Sequence, residues 1–406
     1  MILSKALGGS VVEKIEGPQT IAYRSYSSST RSNAGKVVDQ DSSRTVATAY
    51  RAVNIISDDI AKMPLQLFEQ AGEVKERVKA DARIRNISYL LEIEPNVWGW
   101  TPFQLKKVWA QWLLLYGNAY IWKSPQGPNQ LMILAADVTF PVFDGQGSIW
   151  YRTMLGGKQV YVPGAEVLHT LINPDTSGHI GRGVIEYARD AIGRQIGAYD
   201  TEDKLFKQGL TPAAYMQVSS NLDAEGRKRY RDSYGEVMNG DYDGTRLAVF
   251  DQKITKFEPI TMKLVDAQFL ELIGATDRDI ANFFGMPLHM LNMGSQSYSS
   301  NEQKYLEYLN GTLDSYLVQI EQGARIKWLS QAEQPNMFFK FNRDSLLRMD
   351  AKGRAETNEI LIRSGQRTPN EARNKDDYSP YAEGDSFFMT KNYSDVTKLD
   401  EGGVNG

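Results

Sequence analysis

The sequence predicts an α+β protein, and three observations support this class. Apolar residues three or four positions apart, the spacing of an amphipathic helix, recur in several long segments. Between residues 117 and 172, short apolar segments separated by Gly and Pro are typical of antiparallel strands. The chain has 406 residues, of which 41% are hydrophobic and 24% charged, so we expect a folded protein with more than one domain or subdomain.

The first elements follow from local signals. Residues 24–45 are rich in Ser and lack apolar periodicity, which indicates a flexible arm. Residues 46–63 have the helical spacing, and Pro64 ends this helix before an alternating strand over 65–68.

A second helix is expected over 101–116, with Thr101 as its N-cap and Pro102 in its first turn. Gly117 ends it, because Gly readily adopts the left-handed conformation that closes helices. The strands that follow are expected at 119–123, 131–134, 138–143, 149–155, 159–163 and 167–172.

The second half of the chain is mainly helical. A compact insert of strands and one helix is expected over 211–257, and it separates two of the long helices. The tail contains a strand at 337–342 and a further helix near 350–364. The long helices are expected over 183–208, 265–284 and 301–329.

Composition excludes several classes of protein. There is no Cys, so disulfides, thiolate metal sites and Cys nucleophiles are impossible. The net charge of −4 provides no general basic field of the kind that grips nucleic acid. The most apolar run, 109–122, is interrupted by Gln111, Gly117 and Asn118 and is too short to cross a membrane, so no membrane partner is expected.

No motif predicts an active site, a cofactor or a metal. His169, His179 and His289 lie far apart in sequence, without the spacing of a metal-binding pair, and are expected to be ordinary packing or surface residues. Asp58 and Asp59 point about a quarter-turn apart on one helix, so we expect a solvated face rather than an acid–base pair.

Two further motifs have plain explanations. DYDG at 241–244 begins like a calcium loop but lacks the closing Glu, which favours a hairpin turn. The basic segment RKRYR at 227–231 is interpreted as a solvated helix face, with contact to a partner or phosphate as the alternative.

The order of these elements, together with local motifs, resembles the HK97-type family of bacteriophage portal proteins. The resemblance covers residues 45–392. The stretches that carry it are TAYRAVNIISDDIAKMPLQLFE (48–69), GNAYIWK (117–123), PGAEVLHT (163–170), GVIEYARDAI (183–192), QFLELIGATDRDIANFFGMPLHML (268–291), SYSSNEQ (297–303), TPNEAR (368–373) and EGDSFFM (383–389).

This resemblance implies a portal fold that assembles into a ring, dodecameric in the virion, at one capsid vertex. Double-stranded DNA would pass through its channel without sequence recognition during packaging and ejection. The implied division is a flexible N-terminal arm (1–44), first part of the α/β wing (45–182), stem helix 1 (183–208), small α/β clip (209–264), stem helix 2 (265–284), tunnel loop (285–300), long wing helix (301–335), helical crown (336–392) and flexible tail (393–406).

The resemblance also implies partners and a location. Besides copies of itself, the chain would meet the large terminase, the major capsid protein and a head–tail connector or adaptor. It would lie in the virion, and in the host cytoplasm during assembly. The packaging energy would come from a separate ATPase, so this chain would not be an enzyme and would need no cofactor. In the clip, Arg227, Lys228, Arg229 and Arg231 would dock the motor or connector.

The segment after the second stem helix matches the tunnel loop of this family. Six apolar residues can anchor the helix end, and Pro287 prevents the helix from continuing. Small neutral side chains suit a channel, because a loop rich in Lys or Arg would bind phosphates and slow DNA. The anchoring residues are Phe283, Phe284, Met286, Leu288, Met290 and Leu291, and the channel-facing residues would be Asn292, Met293, Gly294, Ser295, Gln296, Ser297, Tyr298, Ser299 and Ser300.

Two alternatives remain open from the residues. One is an oligomeric scaffold or adaptor through which no DNA passes. The other is a carbohydrate-active enzyme that uses the aromatic region 97–123 as its cleft. The spacing of Trp109, Trp112 and Tyr116 on one helix face is more typical of a core.

Overall fold

The computed structural model describes residues 20–21, 30–72, 74–83, 85–123, 129–207, 213–218, 223–228, 232, 254–260, 267–293, 301–346, 351–375 and 378–388. The chain divides into two compact units, Met1–Phe341 and Asn342–Gly406. Helices and antiparallel strands both contribute to the first unit, which confirms the α+β class.

The long helices lie close to the positions that periodicity predicts. In chain order the described helices are α1 (Gln40–Ser43), α2 (Ala47–Lys62), α3 (Ile87–Glu92), α4 (Pro102–Tyr116), α5 (Val184–Lys207), α6 (Ala267–Phe283), α7 (Asn301–Tyr308), α8 (Asp314–Trp328), α9 (Ala351–Arg363) and α10 (Pro369–Lys375). The short helices α1, α3 and α10 were not predicted.

The described strands pair in small antiparallel sheets. Their orders are β1-β8-β9-β10, β11-β6-β7, β14-β4-β5, β12-β13 and β2-β3. The strands are β1 (Thr20–Ile21), β2 (Thr30–Arg31), β3 (Val37–Val38), β4 (Leu65–Ala71), β5 (Val74–Arg77), β6 (Asn118–Lys123), β7 (Leu131–Leu134), β8 (Phe140–Phe143), β9 (Ile149–Leu155), β10 (Lys158–Pro163), β11 (Val167–Leu171), β12 (Ala213–Val218), β13 (Ile254–Ile260) and β14 (Met337–Phe341).

The core of the first unit is built on α2 and α4, which pack against each other. The expected N-terminal cap of α4 is present, since the hydroxyl of Thr101 accepts a hydrogen bond from the Gln104 amide at 3.1 Å. Gly117 ends α4 with φ +77°. The residues predicted to form the apolar stripe of α2 are all buried: Ala49, Val53, Ile56, Ile60 and Met63.

A lysine side chain lies inside this core. Lys106, on α4, is buried and donates a hydrogen bond to the carbonyl oxygen of Met63, just before Pro64. Burial lowers the pKa of Lys106 to about 8, because an ammonium ion is poorly solvated there.

This lysine makes stability depend on pH. Between about pH 8 and 10.5 the unfolded chain binds the proton that folded Lys106 has lost, so stability should rise with pH. The rise from pH 8 to pH 10 should be about 2 kcal/mol larger than in Lys106→Met. Thermal unfolding of both proteins at pH 8 and pH 10 measures this difference. If the free energy of unfolding changes equally with pH in both proteins, the pKa of Lys106 is not lowered by burial.

Three glycines allow close backbone contacts between the end of α4 and the segment that precedes α5. A methyl group on Gly117 would overlap the backbone of Arg182, and one on Gly181 would overlap the carbonyl oxygens of Gly117 and Ile172. Gly183 lies equally close to the carbonyl of Leu115. Backbone segments can therefore touch directly here, which fixes the position at which α5 begins.

Residues 30–44 differ from the expected flexible arm. The β2–β3 hairpin packs on α5, where Asn33 donates two hydrogen bonds to Asp190, from its backbone amide at 2.8 Å and from its side chain at 2.9 Å. Ser32 is buried against Gly193, and Lys36 pairs with Asp200. The sequence did not predict this hairpin, because its Ser-rich composition is typical of a flexible segment. Its hydrogen-bonding partners on α5 lie more than 150 residues away in sequence.

The strand predicted at 337–342 is present as β14. It pairs with β4, with Phe339 opposite Leu67, and therefore belongs to the first compact unit. In the second unit the structure describes a short 3₁₀ helix, the helices α9 and α10, and a segment over 378–388.

Candidate functional site

The two helices predicted to form the stem, α5 and α6, pack side by side and antiparallel. Arg194 and Asp279 form an ion pair at 3.1 Å, and Tyr187 lies in the same groove as Phe283. A hydrogen bond of 2.6 Å from Thr48 to Asp277 ties α6 to α2. The helical pair is thus held to the core of the first unit by a specific polar contact.

The C-terminal end of α6 is closed by a glycine turn. Gly285 has φ +62°, and the amide of Met286 donates to the carbonyl of Ala281 at 2.9 Å. The hydroxyl of Thr312 donates to the Gly285 carbonyl at 2.5 Å. The predicted apolar anchors Phe284, Met286 and Leu291 are buried, whereas Phe283 is half-exposed, which corrects that expectation.

A 3₁₀ helix, Leu288–Leu291, follows Pro287 and lies in the first half of the predicted tunnel loop, 285–300. The guanidinium of Arg51 donates to the carbonyl of Met290 at 3.0 Å and to the side chain of Asn292 at 3.5 Å. Asn292 is exposed in the left-handed conformation, with φ 60°, and Met293 is half-buried. The remaining predicted loop residues, Gly294, Ser295, Gln296, Ser297, Tyr298, Ser299 and Ser300, lie outside the described residues.

The helix that follows this loop contains an irregular turn, which the periodicity of the sequence did not predict. A π-helical turn, Leu309–Leu313, separates α7 from α8. It contains Thr312, whose hydroxyl reaches Gly285. Leu309 and Leu313 are both buried, and Thr312 on the same turn contacts Gly285, in the glycine turn that closes α6.

Asp58 and Asp59 are not the solvated face that we expected. Asp59 is buried near Tyr308, and burial raises its pKa despite an ion pair to Lys62 at 3.0 Å. Asp58 pairs with Lys107 at 2.6 Å. Each carboxylate has its own cation, so the two do not form an acid–base pair.

Two of the strands predicted in the insert between α5 and α6 are present and pair with each other, whereas the third, at 246–250, lies outside the described residues. Strands β12 and β13 pair from Ala213 opposite Ile260 to Val218 opposite Ile254. Residues 224–228 are helical, and the carboxylate of Asp223 accepts a hydrogen bond from Gly226 at 2.7 Å. Of the four predicted docking residues, Arg227 and Lys228 are exposed, whereas Arg229 and Arg231 lie outside the described residues, as does the DYDG turn.

Two tryptophans of the aromatic region, Trp109 and Trp122, pack in the core. The indole of Trp109 is buried and donates to Thr170 at 2.7 Å, and that of Trp122 is buried and donates to Glu166 at 2.9 Å. Both side chains belong to the core, which contradicts the use of these two rings as a carbohydrate platform.

His169 is a packing residue. Its ring stacks on Tyr120 at 4.4 Å and lies 2.9 Å from the side-chain oxygen of Asn118. Burial lowers the pKa of His169 to about 3, which keeps the imidazole neutral. Within the part of the chain that the structure describes, no cluster of His, Asp and Glu could hold a metal ion, and no helix could cross a membrane.

Sequence reasoning missed two residues that fix the loop junction, Arg51 and Thr312. Arg51 meets Met290 across 239 residues of sequence, and Thr312 meets Gly285 across 27. Neither has a local signal: one is a cation among many, and the other is a Thr within a helical pattern. Only tertiary contact reveals them.

Comparison with known proteins agrees with this architecture. The chain is 25% identical over 372 residues to the probable portal protein of Streptomyces phage phiC31, covering 86% of this chain and 78% of that one. It is 24% identical over 402 residues to the portal protein of Enterobacteria phage HK97, covering 97% and 92%.

Solved structures share the fold. The crystal structure of an HK97 family phage portal protein from Corynebacterium diphtheriae matches with a TM-score of 0.58 and 16% identity, covering 78% of this chain and 100% of that one. A chain from the neck of a native gene transfer agent particle, computed with C12 symmetry, matches with a TM-score of 0.53 and 19% identity, covering 82% and 91%. A model of the phage portal protein family matches residues 47–377. Because that match spans most of the sequence, this chain belongs to the phage portal protein family.

Proposed function

We propose that this chain forms a dodecameric ring at one capsid vertex and that DNA passes through its centre during packaging and ejection. One geometric observation carries the proposal. Since α5 and α6 are antiparallel, the insert joins one end of the helical pair and the 285–300 segment follows the other end. The 17 residues of α6 span about 25 Å, so the two segments belong to two levels along the pair.

In a ring, these two levels become two circles of identical segments. The 285–300 segment would line the channel as the tunnel loop, and the insert would form the clip at the motor side. The contacts of Arg51 with Met290 and of Thr312 with Gly285 support this assignment, because they hold the start of the 285–300 segment in place. The similar chain in the neck of the gene transfer agent particle, which was computed with C12 symmetry, supports a ring of twelve copies.

Native mass and electron microscopy of the purified protein test the proposal. Twelve chains of 45.7 kDa give a ring of about half a megadalton, and its bore must exceed the width of duplex DNA, about 20 Å. A monomer at every concentration, even within assembled shells, would exclude the ring. A ring whose bore is too narrow would instead favour a scaffold or adaptor without DNA passage.

Docking of the packaging motor should depend on the basic segment of the insert. Replacing Arg227, Lys228, Arg229 and Arg231 together by Ala should weaken terminase or connector binding at least tenfold, since Arg227 and Lys228 are exposed and available to acidic groups. Binding to purified rings measures this effect. As a control, the same residues replaced by Lys or Arg of like charge should bind normally; unchanged affinity of the Ala variant would remove the docking role.

A further inference from the structure

Residues 368–388 form a small motif whose order comes from polar contacts. The buried side chain of Asn370 donates to the carbonyl of Tyr381 and to the carboxylate of Asp385, each at 3.0 Å, and accepts from the Tyr381 amide at 3.0 Å. The backbone amide of Asn370 donates a hydrogen bond to the carbonyl of Gly384 at 2.8 Å. Asn370 therefore holds the segment 378–388 against the start of α10.

Arg373, which lies about one turn after Asn370 on α10, also holds this segment. Its guanidinium donates to the carbonyl of Ser379 at 2.8 Å and lies 5.6 Å from the ring centres of both Tyr378 and Tyr381. These contacts fix the backbone and two aromatic rings without burying the rings.

The apolar side chains of this motif face solvent. Among the described residues of 342–388, Ala372 is the one apolar side chain that is buried. The four aromatic residues are exposed: Tyr378 by 63%, Tyr381 by 50%, Phe387 by 66% and Phe388 by 50%. We call these four residues the aromatic surface. A rigid backbone that displays Tyr, Phe and Arg has the composition of a protein interface.

We propose that the aromatic surface packs against residues 342–388 of the neighbouring copy of this chain in the ring, an inference that rests on the proposed function. Charge allows an identical partner, because residues 342–388 contain eight Lys or Arg and nine Asp or Glu. Two such segments therefore have almost no net repulsion, whereas DNA would be a poor partner for a nearly neutral aromatic surface.

Area also favours this partner. A fully covered aromatic side chain buries about 150–250 Å², so the exposed fractions leave on the order of 450 Å² for each copy. That is roughly half of what one partner contributes to a stable interface, about 800 Å². The aromatic surface would thus strengthen a ring whose other contacts lie elsewhere, rather than create a dimer alone.

The absence of Cys allows a direct test on the assembled ring. A single Phe388→Cys variant is labelled with benzophenone maleimide and irradiated. We expect a denatured product of about twice 45.7 kDa, with the link in residues 342–388 of a second chain. A label on Gln146→Cys, an exposed polar turn, controls for random collision. Links within the same chain, links to residues 1–341, or yields no higher than the control would overturn the inference.

A second variant measures the strength of the contact. The double substitution Phe387→Ser and Phe388→Ser should weaken the ring, so that the protein concentration at which half of the rings dissociate rises at least tenfold. Ser386→Ala should leave that concentration unchanged. An unchanged concentration for the double variant would also overturn the inference. A wild-type protein that forms no ring would instead refute the proposed function, so the two failures are distinguishable.

Discussion

Replacing Gly117 by Ala is expected to lower the free energy of unfolding by about 3–4 kcal/mol. Two costs combine at this position. An Ala in the left-handed conformation costs about 1 kcal/mol, and forcing its methyl group into the backbone of Arg182 adds about 2–3 kcal/mol. The backbone of Gly181–Gly183 must then move, and with it the start of α5.

A matched control separates these two costs. Gly157 lies in the two-residue turn between β9 and β10 with the same φ of +77°, but a methyl group there would meet nothing within 4 Å. Gly157→Ala should therefore cost about 1 kcal/mol. Thermal or denaturant unfolding of both variants measures the difference. If the two substitutions cost the same, the backbone contact at Gly117 contributes nothing to stability.

The sequence predicts local elements well wherever one residue type has a strong preference. Thr101 and Pro102 begin α4, Gly117 ends it, and Pro64 separates α2 from β4, all as expected. These signals act within a few residues and need no tertiary contact. The short strands between β6 and β11 follow for the same reason, because each is bounded by turn residues.

Long-range contacts explain the differences. The hairpin at 30–38 depends on Asp190 and Asp200, so its polar composition resembles that of a flexible segment. Asp59 is buried because α2 packs beside Tyr308, which helical spacing alone cannot show. The anchors of the candidate loop, Arg51 and Thr312, are likewise visible only when distant elements meet.

Adding positive charge to the predicted tunnel loop should have the largest functional effect. With Gln296→Lys and Ser297→Lys, a twelve-membered ring gains 24 positive charges around its channel. Each phosphate contact would bind DNA more tightly and slow its movement, so packaging at low salt should fall at least tenfold. The defect should shrink as salt rises from 50 to 200 mM, because released counterions drive the binding.

A neutral pair of substitutions, Gln296→Ala and Ser297→Ala, is the matched control and should package normally at each salt concentration. Shortening Gly294–Ser300 should leave ring assembly intact, because Arg51, Thr312 and the buried Leu291 hold the flanks of the loop. The shortened ring should nevertheless package or retain less DNA, which a nuclease-protection assay measures. Normal packaging by both the lysine and the shortened variants would show that DNA does not pass beside these residues.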